Sequence, residues 1–300
     1  MFARGRQFPL SSYGWLVGFV VFWIAVLLFQ FRPASVSLGI KYKSKDLEDR
    51  FNQPNRFSQL LYVANRTALI CRLPKVASTA QMMLIRRMNG APNWNSTLNS
   101  EIRDRAGRTS NKVKKWKEVL NPAIKKMVVV RNPVNRLLSG YLDKILKSNR
   151  LSMLPKSNGT TVTETPSFEE FVDILDSVPI DTVDKHFRPQ VTLCRMNEIP
   201  YDMVVKYEDR QTGVRKFLES IGMWEEFGKD GWGPHGTSAF FEKTESIVMD
   251  YGPRDLAITE EKDLSEYYTA ELLERVFRLY EKDFLAMEHL GYTREVGDYI

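Results

Sequence analysis

The stretch Cys71–Met88, CRLPKVASTAQMMLIRRM, joins a short apolar strand to Pro-Lys-Val-Ala-Ser-Thr and then to a segment with helical spacing. The first N–H groups of a helix lack partners within the helix and carry partial positive charge, so anions bind there. Lys75 adds a full charge, and Ser78 and Thr79 add hydroxyl donors. The stretch therefore predicts an anion-binding loop, although it has no Gly-rich cradle and no Gly-Lys-Ser/Thr ending. Taken alone, these residues also fit a helix capped by Ser78 and a solvated Lys75.

Strand and helix patterns alternate along the rest of the chain. Ser167 and Glu170 form a predicted capping box, and the β-branched run Met127–Val130 is typical of a buried parallel strand. Strands are predicted in 58–65, 67–73, 125–132 and 201–209, and helices in 80–88, 133–146, 167–178 and 270–292. This alternation predicts an α/β domain with a largely parallel sheet, whose ligands bind beyond the carboxyl ends of the strands.

A second candidate anion site follows the strand in 125–132. Asn132 and Pro133 are a good helix cap and first helical residue, and Arg131 lies at the very end of the strand. Arg136 and Ser139 are three residues apart and share one helical face. Arginine can hold a phosphate through two hydrogen bonds, although a surface ion-pair cluster has the same composition. Two anion sites at neighbouring strand ends predict one ligand with two separated anionic groups.

The composition narrows the classes of partner. The chain has 300 residues, a net charge of +6 and a pI of about 9.1. A basic surplus favours nucleic acid, an acidic membrane, an acidic glycan or a nucleotide, or is simply a solvated surface. The basic stretch Arg103–Lys117 fits either an acidic-glycan groove or a solvated helix face. The two cysteines, Cys71 and Cys194, exclude a disulfide-dense scaffold; they either pair or are buried thiols.

An apolar segment near the N-terminus predicts a membrane anchor. Gly14–Phe31 is apolar apart from Gln30, and it is just long enough to span a bilayer. Arg4 and Arg6 precede it, which places the N-terminus in the cytosol and the remainder in a lumen. A cleaved signal peptide, with Ser35–Ser37 as a weak cleavage site, is the alternative, but the apolar core is longer than the usual signal core. The predicted division is a cytosolic tail in 1–13, an anchor in 14–31, a stem in 32–55 and a luminal domain in 56–300.

Three Asn-x-Ser/Thr sequons are consistent with a luminal domain. Their predicted glycosylation acceptors are Asn65, Asn95 and Asn158.

The motifs together resemble those of the Golgi carbohydrate sulfotransferases, closest to the chondroitin/dermatan branch. Pro-Lys-Val-Ala-Ser-Thr resembles the first family motif, and VVVRNPVNRLLSGYLDK resembles the second, Arg-Asp-Pro-Phe-Glu-Arg-Leu-x-Ser-Ala-Tyr-Arg-Asp-Lys. HFRPQVTLC resembles a third block, as do YDMVVKYED, PHGT and YEKDFLAMEHLGY. In the second motif the residues in register are Arg131, Pro133, Arg136, Leu137, Ser139, Tyr141, Asp143 and Lys144. The resemblance spans about Gln59 to Tyr292.

The resemblance implies a P-loop-like sulfotransferase fold preceded by one transmembrane helix, and 3′-phosphoadenosine 5′-phosphosulfate as donor, without a metal. Arg131, Arg136 and Ser139 are implied to bind the donor, with Arg131 and Ser139 at its 3′-phosphate. Lys75 is expected to lie nearest the bridging oxygen and to stabilise the leaving phosphate. The 5′-phosphosulfate is expected in the loop formed by Pro74, Lys75, Val76, Ala77, Ser78, Thr79 and Ala80.

The three histidines of the chain receive different interpretations. His186, in the third block, is the candidate general base for the acceptor hydroxyl, with a packing histidine as the alternative. His235 is a candidate contact for acceptor or donor, and His289 is expected to be structural.

This sequence departs from the family motifs at several positions. Asn132 replaces Asp, Phe187 replaces Trp, and Asn197 replaces a second Cys, so that no local Cys pair forms. Ala80-Gln81-Met82 replaces Asn-Trp-Lys, which removes a basic residue near the donor. These changes bear on acceptor identity and donor affinity, because Lys75 and the other implied site residues are retained.

The predicted function is transfer of a sulfuryl group to a glycan hydroxyl by in-line displacement, in a type II Golgi membrane protein. The acceptor is expected to be anionic or proteoglycan-linked, and no nucleic-acid module is recognisable. A kinase is disfavoured because the Gly pattern is missing, and a glycosyltransferase because no Asp-x-Asp occurs. An inactive relative that only binds glycan or nucleotide is the remaining alternative.

Overall fold

A computed structural model describes most of the region after residue 58. The described residues are 59–63, 67–92, 94, 113, 115–156, 159, 161–229 and 263–300. The predicted anchor in 14–31, the three sequon asparagines and His235 lie outside them, as does most of the basic stretch. None of the helices in the described part of the chain has the length and apolar character that a membrane crossing requires.

Four strands form one sheet in the order β1-β2-β3-β4, with β1 antiparallel to β2 and the other neighbours parallel. The strands are β1 (Leu60–Val63), β2 (Ala68–Cys71), β3 (Lys125–Val130) and β4 (Met203–Lys206). Met127–Val130 is completely buried, as expected for a parallel strand covered on both faces. The prediction of an α/β domain with a mainly parallel sheet flanked by helices is confirmed.

Eight α-helices are described. They are α1 (Ser78–Met88), α2 (Trp116–Val119), α3 (Pro133–Gly140), α4 (Phe168–Asp176), α5 (Gln190–Cys194), α6 (Arg210–Ser220), α7 (Ala270–Leu279) and α8 (Glu281–Met287). A π-helix, Tyr141–Lys147, continues directly from α3, and a second covers Trp224–Gly228. Short 3₁₀ turns cover Leu151–Met153, Ile180–Thr182, Leu264–Glu266, Glu288–Leu290 and Val296–Asp298.

Both predicted helix caps are confirmed. The Asn132 side chain accepts a hydrogen bond from the N–H of Val134, with Pro133 as the first helical residue of α3. Ser167 and Glu170 form the reciprocal capping box of α4.

The predicted helix in 270–292 is interrupted at Tyr280. The backbone of Tyr280 leaves helical geometry between α7 and α8. The Tyr280 ring is fully buried, and its hydroxyl donates to the carbonyl of Phe187. This buried contact, which helical periodicity does not encode, accounts for the break. Gly291 follows the last turn with a φ of 78°, as the sequence predicts for a helix end.

The two cysteines are paired. The disulfide Cys71–Cys194 joins the end of β2 to the end of α5, across 123 residues of sequence. Closing a loop of this length lowers the conformational entropy of the unfolded chain. In the chain-entropy account this stabilises the folded state by about 4–5 kcal/mol. The bridge therefore ties the strand that leads into the Lys75 loop to the segment that follows His186.

Candidate functional site

The carboxyl ends of the three parallel strands each lead through a short connection into a helix. β2 leads through 72–77 to α1, β3 through Arg131 and Asn132 to α3, and β4 through 207–209 to α6. Ligands of open α/β sheets bind beyond these strand ends. The predicted donor-binding residues are therefore on the expected edge of the sheet.

The loop before α1 has a strained backbone and leaves its helix uncapped. Lys75 and Ala77 have φ values of 68° and 57°, in a left-handed region that costs of order 1–3 kcal/mol for such residues. Strain of this kind concentrates at ligand sites. Ala77 precedes α1 without a side-chain cap, and no acidic residue lies in the first turn. The alternative in which Ser78 caps the helix is wrong, because Ser78 is the first helical residue. The first-turn N–H groups are thus open to an anion.

Side chains from elsewhere hold this loop in place. Gln81 donates to the carbonyl of Val76 over 2.6 Å, and Arg131 Nη1 lies 3.4 Å from the carbonyl oxygen of Lys75. The strained backbone is therefore supported from within α1 and from the end of β3.

Lys75 lies in an ion pair rather than in solvent. Its Nζ is 2.9 Å from Asp143 Oδ2, and Lys144 Nζ is 2.7 Å from the same oxygen. Burial alone would raise the pKa of Asp143, but the two lysines lower it below its ordinary value. The expectation of a solvated Lys75 is therefore wrong, and the lysine is held at the edge of the loop.

Arg131 is held through its backbone, and its guanidinium stacks on the ring of Tyr207. Its N–H donates to Gln190 Oε1 over 3.0 Å, and its carbonyl accepts from Gln190 Nε2 over 2.8 Å. The guanidinium lies 4.6 Å from the ring centroid of Tyr207, and the guanidinium of Arg210 lies 4.3 Å from the same centroid. Among the described residues Arg131 Nε is buried without a hydrogen-bond partner. A buried, unsatisfied cationic donor fits an anionic ligand.

Gln190 is in turn fixed by a buried carboxylate. Asp283 Oδ2 accepts from the Gln190 N–H over 2.9 Å, and Oδ1 accepts from the Val191 N–H over 2.8 Å. Asp283 on α8 thus satisfies the first N–H groups of α5, which Pro189 cannot cap because proline has no side-chain acceptor.

The structure corrects the expectation that Arg136 binds the donor. Arg136 is 1% exposed, and its guanidinium donates to the carbonyls of Pro74, Lys185 and Arg188 at 3.0–3.1 Å. It therefore ties the Lys75 loop to the segment that carries His186. Ser139 is 4% exposed on the same helix, so only a small part of its side chain is open to a ligand.

His186 is oriented by a carboxylate two residues earlier. Its Nδ1 lies 2.6 Å from Asp184 Oδ1, and its backbone N–H donates to the same oxygen over 2.9 Å. With the proton on Nδ1 held by Asp184, Nε2 carries the lone pair. Burial lowers the pKa of His186; Asp184 opposes this shift, and Lys144 and Lys185 add to it. The imidazole is consequently neutral near pH 7, as a general base must be.

The His186 segment packs tightly on α3. A Cβ on Gly140 would lie 3.1 Å from the Phe187 ring and 3.3 Å from the carbonyl oxygen of His186. The absence of a side chain at Gly140 therefore allows this close approach.

Residues 59–288 match the sequence profile of the Sulfotransferase family, which covers more than half of the chain. The chain belongs to the sulfotransferase family. It is 28% identical to human carbohydrate sulfotransferase 9 over 166 residues, 49% of this chain and 36% of that protein. It is 25% identical to mouse carbohydrate sulfotransferase 11 over 195 residues, 57% of this chain and 54% of that protein. The chain thus aligns with about a third to a half of the length of these relatives. No solved structure matches significantly.

The structure brings Lys75, Arg131 and the His186 segment together through Arg136, Gln190 and the disulfide. His289, which is expected to be structural, is exposed in the turn Glu288–Leu290. No group of three or more His, Cys, Asp or Glu side chains within the described ranges is arranged to hold a metal ion.

Three residues that support the candidate site were not predicted. Asp184 is only two residues from His186, but Asp-x-His is too short a pattern to be specific. Gln190 is part of the third sequence block, where its contact with Arg131 is not visible. Asp283 is part of the block YEKDFLAMEHLGY, but its contacts are not visible in the sequence, because its partners are 92 and 93 residues away.

Proposed function

We propose that the protein is a carbohydrate O-sulfotransferase that uses 3′-phosphoadenosine 5′-phosphosulfate as donor. The observation that carries the proposal is the strained, uncapped loop of Lys75 in contact with Arg131, whose buried Nε has no partner among the described residues. Two neighbouring cationic sites match a donor with anionic groups at its 5′ and 3′ positions. Membership of the sulfotransferase family supports the same reaction class.

The first-turn N–H groups of α1 and the hydroxyls of Ser78 and Thr79 would bind the 5′-phosphosulfate. Arg131 at the end of β3 and Ser139 on α3 would bind the 3′-phosphate. The chemistry of both ends fits the residues present, because the first turn of α1 offers N–H groups and carries no acidic residue, and Arg131 offers a guanidinium. Pro74, Val76, Ala77 and Ala80 would contribute backbone to the same loop.

The donor supplies the sulfuryl group, whose bond to the bridging oxygen breaks as the acceptor oxygen attacks in line. Lys75 would stabilise the negative charge on the leaving phosphate, since a preorganised cation acts where charge develops. His186 Nε2 would accept the proton of the acceptor hydroxyl, while Asp184 holds the Nδ1 proton and stabilises the imidazolium that forms. Both roles require only groups that the chain itself provides.

The proposed acceptor is a glycan hydroxyl, by analogy with relatives that are named carbohydrate sulfotransferases. Lys144 and Lys185 act on His186, although Asp184 opposes them, so a hydroxyl at Nε2 would lie near two basic side chains. This charge favours an anionic or proteoglycan-linked glycan as the acceptor.

We further propose a type II Golgi membrane location, with the anchor in 14–31 and the domain 56–300 in the lumen. The Cys71–Cys194 disulfide supports a compartment of the secretory pathway, because such bonds persist in oxidising environments. Asn65, Asn95 and Asn158 would then be accessible to glycosylation, and removal of N-glycans from the cell-made protein should increase its gel mobility.

The test is transfer of radiolabelled sulfate from the donor by the purified full-length protein to a panel of glycans. The panel should contain chondroitin, dermatan, heparan and N-linked glycans, each with a desulfated counterpart. Label in at least one glycan is expected. Binding of adenosine 3′,5′-bisphosphate without labelling of any glycan would favour the inactive, nucleotide-binding alternative.

A further inference from the structure

Asp143 has no part in the proposed chemistry, yet it contacts the lysine on which that chemistry depends. It lies in the π-helix Tyr141–Lys147. Such segments are rare in proteins, and those that occur are often at functional sites. Its Oδ2 lies 2.9 Å from Lys75 Nζ and 2.7 Å from Lys144 Nζ. The side chains of Lys75, Asp143 and Lys144 are 14%, 12% and 20% exposed. The three groups thus form a largely buried triad.

The charge balance of this triad is unusual. Two ammonium groups bind one carboxylate oxygen, so the triad carries one net positive charge when all members are ionised. Without Asp143 the two ammonium groups would repel each other in a poorly solvated place, and Lys75 would lose its 2.9 Å contact with the carboxylate. The carboxylate therefore determines where the Lys75 charge is held.

Asp143 also influences His186 indirectly, because its partner Lys144 acts electrostatically on the His186 ring. The charged groups that act on the His186 ring are Asp184 and Lys185 on its own segment and Lys144 on the π-helix. Asp143 neutralises Lys144, so a change at Asp143 alters the positive field at His186 as well as the direction of Lys75. One residue is placed to influence both ends of the proposed reaction.

We propose that Asp143 is a positioning residue that holds Lys75 for the transfer step and, through Lys144, adjusts the charge around His186. This inference rests on the proposed function and adds to it a residue that contacts neither donor nor acceptor. A residue with this role affects turnover without contributing to donor affinity, because a carboxylate near an anionic ligand opposes binding.

The decisive variant is Asp143→Asn in the full-length protein, with transfer kinetics, pH profile and binding of adenosine 3′,5′-bisphosphate as readouts. Turnover is expected to fall about tenfold or more because Lys75 is no longer directed. Nucleotide affinity is expected to remain equal or to increase, because one negative charge is removed. The acid limb of the pH profile should move to lower pH, because the uncompensated Lys144 lowers the pKa of His186.

Lys144→Gln supplies an opposite pH shift. It removes a positive charge near His186 and leaves the Lys75–Asp143 pair, so the acid limb should move to higher pH. Glu219→Gln is the matched control, since it removes a carboxylate from an exposed ion pair with Arg215 on α6; all three readouts should stay unchanged. Asp143→Glu keeps the charge and should retain the parent pH profile, and it serves as the main test if the Asn variant does not fold.

Three results would overturn the role of Asp143. They are a turnover change below about threefold in Asp143→Asn, a parallel loss of turnover and nucleotide affinity, or pH shifts of the same sign in Asp143→Asn and Lys144→Gln. Lys75→Ala separates the two proposals. If Lys75→Ala keeps full turnover, or the parent transfers no sulfate, the proposed function fails and the Asp143 role fails with it. If Lys75→Ala is inactive while Asp143→Asn is fully active, only the Asp143 role fails.

Discussion

Two strand–helix junctions lie side by side at the edge of the sheet, and they are built in opposite ways. The junction from β2 to α1 has a left-handed backbone at Lys75 and Ala77 and no cap on its helix. The junction from β3 to α3 is relaxed, and Asn132 closes the end of its helix. The first junction therefore leaves its backbone N–H groups uncapped, whereas the second is capped and carries the side chain of Arg131. Neighbouring strand ends of one sheet thus present different chemical groups.

The closed junction also accounts for one departure from the family motif. Asn132 accepts from Val134 through its oxygen and donates to the Tyr299 hydroxyl through its nitrogen, over 2.8 Å. Tyr299 in turn donates to the carbonyl of Thr293 over 2.7 Å. An aspartate could cap the helix but could not donate to Tyr299. The C-terminal segment is therefore attached to the junction through the amide.

The largest effect is expected at His186. If the two junctions only bind the donor, proton transfer depends on this residue. His186→Ala should lower turnover by about 10²–10⁴-fold with little change in nucleotide affinity. In the parent the acid limb of the profile should lie below the ordinary histidine value of about 6.5, since burial lowers the pKa of His186. Activity should be lost as pH falls through that pKa, because the base becomes protonated. A turnover in His186→Ala close to that of the parent would contradict the assignment.

The next prediction separates the role of the Lys75 charge from that of the backbone N–H groups at the junction from β2 to α1. Lys75→Ala should lower turnover by about 10²–10³-fold, while the first-turn N–H groups of α1 continue to bind the nucleotide. Binding of adenosine 3′,5′-bisphosphate should weaken far less than turnover. An equal loss of both would mean that Lys75 only binds the donor.

A smaller effect, on nucleotide affinity, is expected at the junction from β3 to α3. Comparing two nucleotides assigns this effect to the 3′-phosphate. Arg131→Met should weaken binding of adenosine 3′,5′-bisphosphate by roughly 10- to 100-fold and leave the binding of adenosine 5′-monophosphate unchanged. Gln190→Met should show the same selectivity to a lesser degree, because Gln190 holds only the backbone of Arg131.

Tyr201→Phe is the control for Gln190, since its hydroxyl donates to Cys194 at the other end of α5 and has no contact with Arg131. It should leave both nucleotides unaffected. Equal weakening of the two nucleotides by Arg131→Met would show that the closed junction does not bind the 3′-phosphate.

The smallest effect concerns the cap itself. Asn132→Ala should lower the free energy of unfolding by about 1 kcal/mol, because the N–H of Val134 loses its partner. Asn132→Asp should retain the cap and lose only the contact with Tyr299. Denaturant unfolding of both variants measures the difference, and equal loss in the two would show that the contact with Tyr299, not the cap, stabilises the junction.

Much of the local architecture was predictable because it depends on neighbours in sequence. The buried strand at Met127–Val130, the helix after the Lys75 loop and the caps at Asn132 and Ser167 each follow from hydrophobic period or from a side chain within three residues. The positions of Lys75 and Arg131 at strand ends follow from the same local signals. The break at Tyr280 was not predictable, because a buried contact with Phe187 overrides a continuous helical pattern.

The sequence by itself determined that this protein has an α/β domain with two candidate anion sites at neighbouring strand ends. Only the tertiary structure decided which charged residues could meet a ligand. Arg136 and Arg131 look alike in the sequence, yet Arg136 donates to three backbone carbonyls, whereas the buried Nε of Arg131 has no hydrogen-bond partner among the described residues. The same holds for Asp143, whose two lysines converge on one oxygen. The cause is physical: the fate of a charge depends on burial and on partners that are distant in sequence, and folding alone brings these together.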